Sequence, residues 1–148
     1  MTARVFVDSN VLVYSLDTAE AEKQAQAARW MAHLWSSRRG RLSFQVLQEF
    51  YVNVTRKLRS PVEDDDARQV VRSLLAWQPL GIGAGEIEAA WAIQDRNAIS
   101  WWDALIVAAA VSTDCRYLLT EDLQHDQVLA GVRVVNPFLA APDELHTD

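Results

Sequence analysis

The chain has 148 residues, of which 50% are hydrophobic and 23% are charged. This composition suits one folded domain with a core and excludes wholesale disorder. A formal net charge of −6 is unfavourable for a protein that binds duplex nucleic acid, because such proteins usually carry a basic face. The single cysteine cannot form an internal disulfide. We expect neither a signal peptide nor a membrane-spanning helix, and therefore a cytoplasmic protein with no membrane partner.

The N-terminal part of the chain alternates short apolar runs with helical patterns. The run over 4–7 is typical of a strand, and the Asp8-Ser9-Asn10 turn that follows it is typical of a helix N-cap. Apolar residues at helical spacing then predict amphipathic helices. The predicted elements are, in order, a strand over 4–7, a helical turn over 11–16, a helix over 19–36, a strand over 42–44 and a helix over 47–58.

The remainder of the chain continues this alternation. Ser60-Pro61-Val62-Glu63 has the pattern of a capping box, and we interpret the three acids at 64–66 as complements of the helix dipole rather than as a metal site. Ser100 is predicted to cap a buried, almost wholly apolar helix. The predicted elements are, in order, a strand over 77–82, helices over 86–97 and 101–112, and strands over 117–119 and 132–135.

Short strands that alternate with helices predict an α/β fold with a mostly parallel sheet covered on both faces. We place one domain over residues 1–140 and expect residues 141–148 to form a frayed tail. The six tryptophans are interpreted mainly as core residues. Because the adjacent Trp101 and Trp102 cannot both face the same way on a helix, one of them is expected to line a groove or an interface.

Acidic residues stand where strands of the predicted sheet end. Asp8 directly follows the first strand, and Asp122 comes three residues after the strand over 117–119. Open α/β sheets bind ligands at the carboxyl ends of their strands, so these two acids are candidates for one site. Each could instead be an ordinary turn acid, and Glu121 and Asp126 are rivals for the role of Asp122.

Two helical acids could join them. Asp103 lies in the first turn of the buried helix, where it could instead complete a cap with Ser100, although a cap does not prevent the carboxylate from also binding a metal. Glu49 faces away from the apolar side of its helix, as a solvated residue would. In favour of a role for Glu49, no other acid occurs between Glu22 and Glu63.

Convergence of these four acids would require a compensating charge. Two like charges 4 Å apart repel by about 4 kcal/mol at an effective dielectric of 20, so gathered carboxylates raise their pKa values or move apart unless a cation binds. Mg²⁺ prefers oxygen ligands and Mn²⁺ suits the same set, whereas the histidines and the lone cysteine show no Zn²⁺ spacing. Metal ions held by carboxylates are the equipment for hydrolysis of a phosphodiester.

Four segments of the chain resemble the motifs of PIN-domain nucleases, and above all those of VapC-type toxins of bacterial toxin–antitoxin pairs. The segments are residues 6–12 (FVDSNVL), the helix that contains Gln48-Glu49-Phe50, residues 100–106 (SWWDALI) and residues 118–123 (LLTEDL). The resemblance implies a PIN-like three-layer α/β/α sandwich and an endoribonuclease dependent on Mg²⁺, which Mn²⁺ can replace. The catalytic and metal-binding acids that it implies are Asp8, Glu49, Asp103 and Asp122.

The resemblance carries further expectations about partners and neighbouring residues. It implies an RNA substrate, a homodimer, and a cognate antitoxin whose tail covers the active site. Ser9, Asn10 and Thr120 are expected to shape that site. The sequence departs from the family at Asp126, where a small residue is common. If Asp122 and Asp126 share a helical turn, Asp126 could add a metal ligand, and Glu121 is a further possible ligand.

Arginines could supply the positive charge that the composition lacks, because arginine binds phosphate in a bidentate fork. The candidates for phosphate contacts, which could equally be solvated helix ends, are Arg38, Arg39, Arg41, Arg56 and Arg59.

Two other functions stay open. One is phosphoacceptor chemistry at Asp8, against which the sequence offers no second acid two residues on and no lysine after a late strand. The other is a non-catalytic PIN-like module that binds RNA or protein.

Overall fold

The protein is described here by a computed structural model covering residues 3–145, built around a sheet of five strands. The strands are β1 (Arg4–Val7), β2 (Gly40–Arg41), β3 (Cys115–Leu119), β4 (Val128–Leu129) and β5 (Val132–Val135). Their order across the sheet is β2-β1-β3-β5-β4, and every pairing is parallel except that between β4 and β5. The predicted α/β class with a short, mostly parallel sheet is confirmed.

Helices flank the sheet and match most of the predicted helical segments. Their bounds are α1 (Ser9–Leu16), α2 (Ala21–Ser37), α3 (Phe44–Arg56), α4 (Asp64–Leu74), α5 (Ala84–Arg96) and α6 (Trp101–Ser112). Helix α6 packs against α5 and β3, and its residues 104–110 are all buried. A helix that is apolar nearly all round can lie only in the interior, which is why α6 packs directly against the sheet.

Strands β1 and β3 are buried on both faces, as parallel strands between helical layers must be. Val5, Phe6 and Val7 have no exposed surface, and neither do Leu118 and Leu119. Because β1 and β3 are adjacent and parallel, the residues that follow them lie at the same edge of the sheet. This arrangement brings Asp8 and the turn after Leu119 together.

The second strand lies two residues before its predicted position over 42–44. Gly40 pairs with Val5, while Ser43 already caps α3 by accepting a hydrogen bond from the Val46 amide at 3.3 Å. A Cβ atom on Gly40 would approach the Trp77 ring to 2.3 Å, so only glycine fits here. The strand is therefore placed by a tryptophan that lies 37 residues further along the chain.

The strand predicted over 77–82 does not form. Residues Leu75–Trp77 form a 3₁₀ turn, and Gln78 adopts a left-handed conformation with φ of 55°. Only Leu80 reaches the sheet edge, where it makes an isolated bridge with Ser43. The left-handed turn at Gln78 and Pro79, which has no backbone N–H to donate, together prevent a longer ladder of strand hydrogen bonds.

The capping box predicted at Ser60–Glu63 is also wrong. Helix α4 begins at Asp64 after Glu63, which makes no side-chain capping bond. The preceding segment is tied to α3 instead, because the Val62 amide donates to the Val54 carbonyl at 2.8 Å. The acids at 64–66 do occupy the first turn of α4, and two of them, Asp64 and Asp65, pair with Arg68.

The β4–β5 hairpin was not predicted. Its two turn residues, Ala130 and Gly131, have φ of 51° and 81°. Tight hairpins favour such positive φ values, and their usual sequence signal is Asn-Gly or Asp-Gly. Because alanine stands in the first turn position here, the sequence lacks that signal.

The predicted tail begins with a 3₁₀ turn over Pro142–Glu144 in which Pro142 is buried, and residues 146–148 lie outside the described part of the chain. Among residues 3–145, no helix combines the length and apolar character needed to traverse a lipid bilayer.

Candidate active site

Asp8 occupies the junction between β1 and α1 and is only 5% exposed. Its carboxylate accepts a hydrogen bond from the Ser9 amide at 2.7 Å and another from the Thr120 hydroxyl at 2.9 Å. Burial raises the pKa of Asp8 to about 7, and the nearby carboxylates of Asp122 and Glu49 contribute to that rise despite the two hydrogen bonds. The predicted strand–acid–helix arrangement thus delivers a buried carboxylate to the sheet edge.

Asn10 and Thr120 link Asp8 to Asp122. The Asn10 amide nitrogen donates to the Asp122 carboxylate and the Thr120 hydroxyl, each at 3.0 Å, and lies 3.4 Å from Asp8. Thr120, which is fully buried, also accepts a hydrogen bond from the Asp122 amide at 3.1 Å. The side-chain amide oxygen of Asn10, Oδ1, is buried and has no hydrogen-bond partner among the described residues. Two neutral side chains therefore hold two carboxylates near each other.

Asp103 lies in the first turn of α6, where its amide donates to the Ser100 hydroxyl at 3.1 Å. The predicted Ser100 cap is thus confirmed, and the Asp103 side chain remains half-buried. Burial raises the pKa of Asp103, and the charge of Asp122 adds to the increase. Asp103 therefore lies within electrostatic reach of Asp122, as Asp8 does, although Asp103 is carried by a different helix.

Glu49 joins the cluster from α3. Ser9 donates to one of its carboxylate oxygens at 3.3 Å, and Gln45 donates to the other at 3.0 Å. Glu49 is exposed and lies off the buried stripe of α3, and the contact with Ser9 shows that the start of α1 lies beside it. Gln45 was missed from the sequence, although its position four residues before Glu49 on a helix is a recognisable signal.

No ion pair among residues 3–145 involves Asp8, Glu49, Asp103 or Asp122. The donors that contact Asp8, Glu49 and Asp122 are neutral hydroxyl and amide groups, which do not cancel their charge. Proton uptake, or a cation drawn from solution, would therefore relieve the mutual repulsion of these carboxylates more completely than the neutral donors do.

The donor set suits a hard divalent cation, because its atoms are carboxylate, hydroxyl and amide oxygens. Within residues 3–145, however, no three acidic, histidine or cysteine side chains are arranged so that they could hold a metal ion together. The amide nitrogen of Asn10 stands between the carboxylates of Asp8 and Asp122, where a bridging cation would compete with it. The residues thus fit the ion in chemistry and charge, and bringing three ligands together requires side-chain rearrangement.

The structure does not bring the two additional predicted acids into this cluster. Glu121 pairs with Lys23 at 3.0 Å. Asp126 lies 3.5 Å from His125 and lines a separate groove with Arg133. Residues 121–127 form bends and turns rather than a helix, so Asp122 and Asp126 do not share a helical turn.

The predicted phosphate-binding arginines are not gathered around the acids. Arg39 is only 3% exposed and donates to the Ala3 carbonyl at 2.7 Å, so it cannot reach a bound polyanion. Arg38 and Arg41 line a separate groove. Arg56 and Arg59 are exposed at the far end of α3, where Arg56 lies about 10 Å from Glu49 along the helix axis.

Comparison with known proteins agrees with this architecture. The family model described as PIN domain matches residues 5–129. A toxin–antitoxin complex from Klebsiella pneumoniae is similar in structure, with a TM-score of 0.56, 19% identity, and coverage of 90% of this chain and 97% of the other. VapBC2 from Rickettsia felis, bound to a DNA fragment from its promoter, has a TM-score of 0.58 and 12% identity, with coverage of 88% and 96%. No curated protein is significantly similar in sequence. Because the family model spans most of the sequence, the chain belongs to the PIN domain family.

Proposed function

We propose that this protein is a Mg²⁺- or Mn²⁺-dependent endoribonuclease that acts as the toxin of a toxin–antitoxin pair. One observation carries the proposal. Asp8 is buried at the carboxyl end of β1, within electrostatic reach of Asp122 and Glu49, and pairs with no cation among residues 3–145. An uncompensated buried carboxylate destabilises a fold, so its presence beside other acids favours a cation-binding role.

We assign Asp8 and Asp103 as the direct metal ligands, with Glu49 and Asp122 binding directly or through water. A bound divalent ion supplies a polarised water and stabilises negative charge on the phosphate. Thr120 and Asn10 orient the carboxylates of Asp8 and Asp122.

The chemical step needs no covalent enzyme intermediate. The oxygen of a water molecule bonds to phosphorus, the bond to the leaving ribose oxygen breaks, and that oxygen takes up a proton from solvent water. Glu49 is exposed at the mouth of the site and held by Ser9 and Gln45, so it is placed to accept the proton of the attacking water. Glu49 also lines a groove on the surface, and an open groove suits single-stranded or looped RNA.

Partners are proposed from the structural neighbours. Both are toxin–antitoxin complexes, which supports a cognate antitoxin for this chain, and the family resemblance adds a homodimer. Expression of the chain should arrest bacterial growth, and co-expression of its antitoxin should restore it. Growth arrest by Asp8→Asn as strong as that by the wild type would contradict a toxic activity at this site.

The decisive experiment is RNA cleavage by the purified protein with Mg²⁺ or Mn²⁺ and with EDTA. Asp8→Asn and Asp103→Asn should abolish cleavage, and the exposed acid Asp95 on α5 provides the matched control Asp95→Asn. Undiminished metal-dependent cleavage by both site variants would remove the assignment.

The alternative is a non-catalytic PIN-like module that binds RNA or protein. One observation favours it, because no three potential ligands are arranged for a metal ion within residues 3–145. Calorimetric titration with Mn²⁺ separates the two functions. Heat of binding that disappears in Asp8→Asn supports the nuclease, and its absence in the wild type at millimolar metal supports the inert module.

A further inference from the structure

A groove of about 620 Å³ opens beside the acid cluster. Its apolar lining comes from Phe44, Ile82, Trp102 and Leu105, and its polar lining includes Gln48 and Glu49. Glu49 belongs to both the groove and the acid cluster, so a molecule bound in the groove lies next to the proposed reaction centre. The volume falls within the range of about 300–1,000 Å³ typical of sites for small organic ligands, so a nucleoside fits.

Two aromatic rings in this groove are exposed. Trp102 is 64% exposed and Phe44 is 45% exposed. The neighbouring Trp101 points elsewhere, packing against the core with its ring centroid 6.2 Å from that of Trp91. The expectation that one of the adjacent tryptophans would line a groove is therefore met by Trp102, which directly precedes Asp103 in the chain.

We propose that this groove is a base-stacking subsite for single-stranded RNA, in which Trp102 and Phe44 contact the faces of nucleobases next to the phosphate that is cleaved. The inference rests on the proposed nuclease function and adds a binding element to it. Aromatic side chains bind unpaired bases by stacking, and every base offers a face for this contact. The amide of Gln48 lies in the same groove and can form hydrogen bonds with base edges.

The subsite also answers an electrostatic problem. The chain carries a net charge of −6, and the arginines expected to bind phosphate lie away from the acids or are buried. Stacking does not depend on charge, so it can hold RNA where the acids repel the backbone. A second groove between α3 and α4 shares Phe44 and also contains Tyr51, but no residue of the acid cluster lines it. It is therefore not placed next to the proposed reaction centre.

The test compares RNA binding by Trp102→Ala, Trp102→Phe and Trp91→Ala. Trp91 is 52% exposed on α5 and does not line the groove, so it is the matched control. Binding of a short, mixed-sequence, single-stranded RNA is measured by fluorescence anisotropy in EDTA, which separates binding from cleavage. Trp102→Ala should bind at least about fivefold more weakly than the wild type. Trp102→Phe, which keeps a ring, should retain most of the affinity, and Trp91→Ala should match the wild type.

RNAs that lack single bases test whether Trp102 acts by stacking on a base. Replacing single nucleotides by abasic residues should weaken binding to the wild type at the stacked position, and the same replacement should have little further effect on Trp102→Ala. RNA cleavage in the presence of Mn²⁺ is measured separately and tests the proposed nuclease activity. RNA binding through Trp102 without cleavage would support the subsite and refute the nuclease, whereas cleavage with normal binding by Trp102→Ala would refute the subsite alone.

Two other results would overturn the subsite. One is a wild-type protein that does not bind single-stranded RNA in EDTA. The other is a Trp102→Ala variant that binds RNA normally but changes its molecular mass in solution, which would assign the groove to a second copy of the chain.

Discussion

The Asn10 amide nitrogen donates to the Asp122 carboxylate at 3.0 Å, although 112 residues separate the two in sequence. The same nitrogen lies 3.4 Å from the Asp8 carboxylate. A single neutral donor therefore stands between two like charges, in the place where a bridging cation would relieve their repulsion more completely. The carbonyl oxygen of this amide is buried without a hydrogen-bond partner among the described residues, so rotation of the amide would present an oxygen to an incoming ion.

Asn10→Ala should destabilise the protein by about 1 kcal/mol in EDTA, because it removes the donor shared by Asp8 and Asp122. Saturating Mn²⁺ should shrink that difference, since a bound cation replaces the amide as the link. Urea unfolding with and without Mn²⁺ measures both values, and Asn53→Ala on α3 controls for loss of a half-buried asparagine. An equal deficit in EDTA and in Mn²⁺ would show that Asn10 and the metal do not share a site.

Asp8 should make the stability depend on pH. Burial raises its pKa to about 7 in the folded protein, from 3.8 when it is exposed, so folding favours the protonated form. As far as Asp8 determines it, the free energy of unfolding should be highest below about pH 4, fall by about 4 kcal/mol as the pH rises from about 4 to about 7, and change no further above that pH.

Asp8→Asn should therefore flatten this pH dependence and be more stable than the wild type above neutral pH, because asparagine keeps the N-cap without the charge. Urea unfolding in EDTA across this pH range measures the effect, and Asp95→Asn is the control. A pH profile of Asp8→Asn parallel to that of the wild type would assign the titration to another group.

The parts of the site that could be predicted from sequence rest on local signals. Asp8 follows an unbroken apolar run that must be a buried strand, and Ser100 precedes an apolar helix at cap spacing. Each of these features depends on a few consecutive residues. The positions of Asp8 and Asp103 at the start of their helices were therefore predictable from the sequence.

The parts that could not be predicted depend on contacts between distant residues. Glu121 and Asp122 are adjacent acids with similar local patterns, and only Lys23, nearly 100 residues earlier, distinguishes them by pairing with Glu121. Similarly, Glu49 lies on the solvent side of α3 by its periodicity, and its position beside the other acids depends on where α1 places Ser9. No periodicity within one segment contains such information.

Cys115 should be unreactive in the folded protein. Cys115 is 6% exposed, and burial raises the pKa of its thiol to about 11, so little thiolate exists at neutral pH. A thiol reagent should modify native protein far more slowly than urea-unfolded protein, and because this is the sole cysteine, the labelling rate reports unfolding directly. Cys115→Ser controls for reaction at other groups, and native labelling as fast as that of a free thiol would contradict the burial.

Gly40 should tolerate no side chain. A Cβ atom there would lie 2.3 to 2.7 Å from three atoms of the Trp77 ring, so Gly40→Ala should destabilise the protein by about 1–3 kcal/mol through overpacking. Gly81→Ala is the matched control, because an added Cβ at Gly81 has no neighbour within 4 Å. The stability of this variant should therefore differ little from that of the wild type. Combining Gly40→Ala with Trp77→Leu should cost less than the sum of the two single changes, since the smaller side chain makes room. Urea unfolding of all four variants tests the packing, and additive losses would show that Gly40 and Trp77 do not constrain each other.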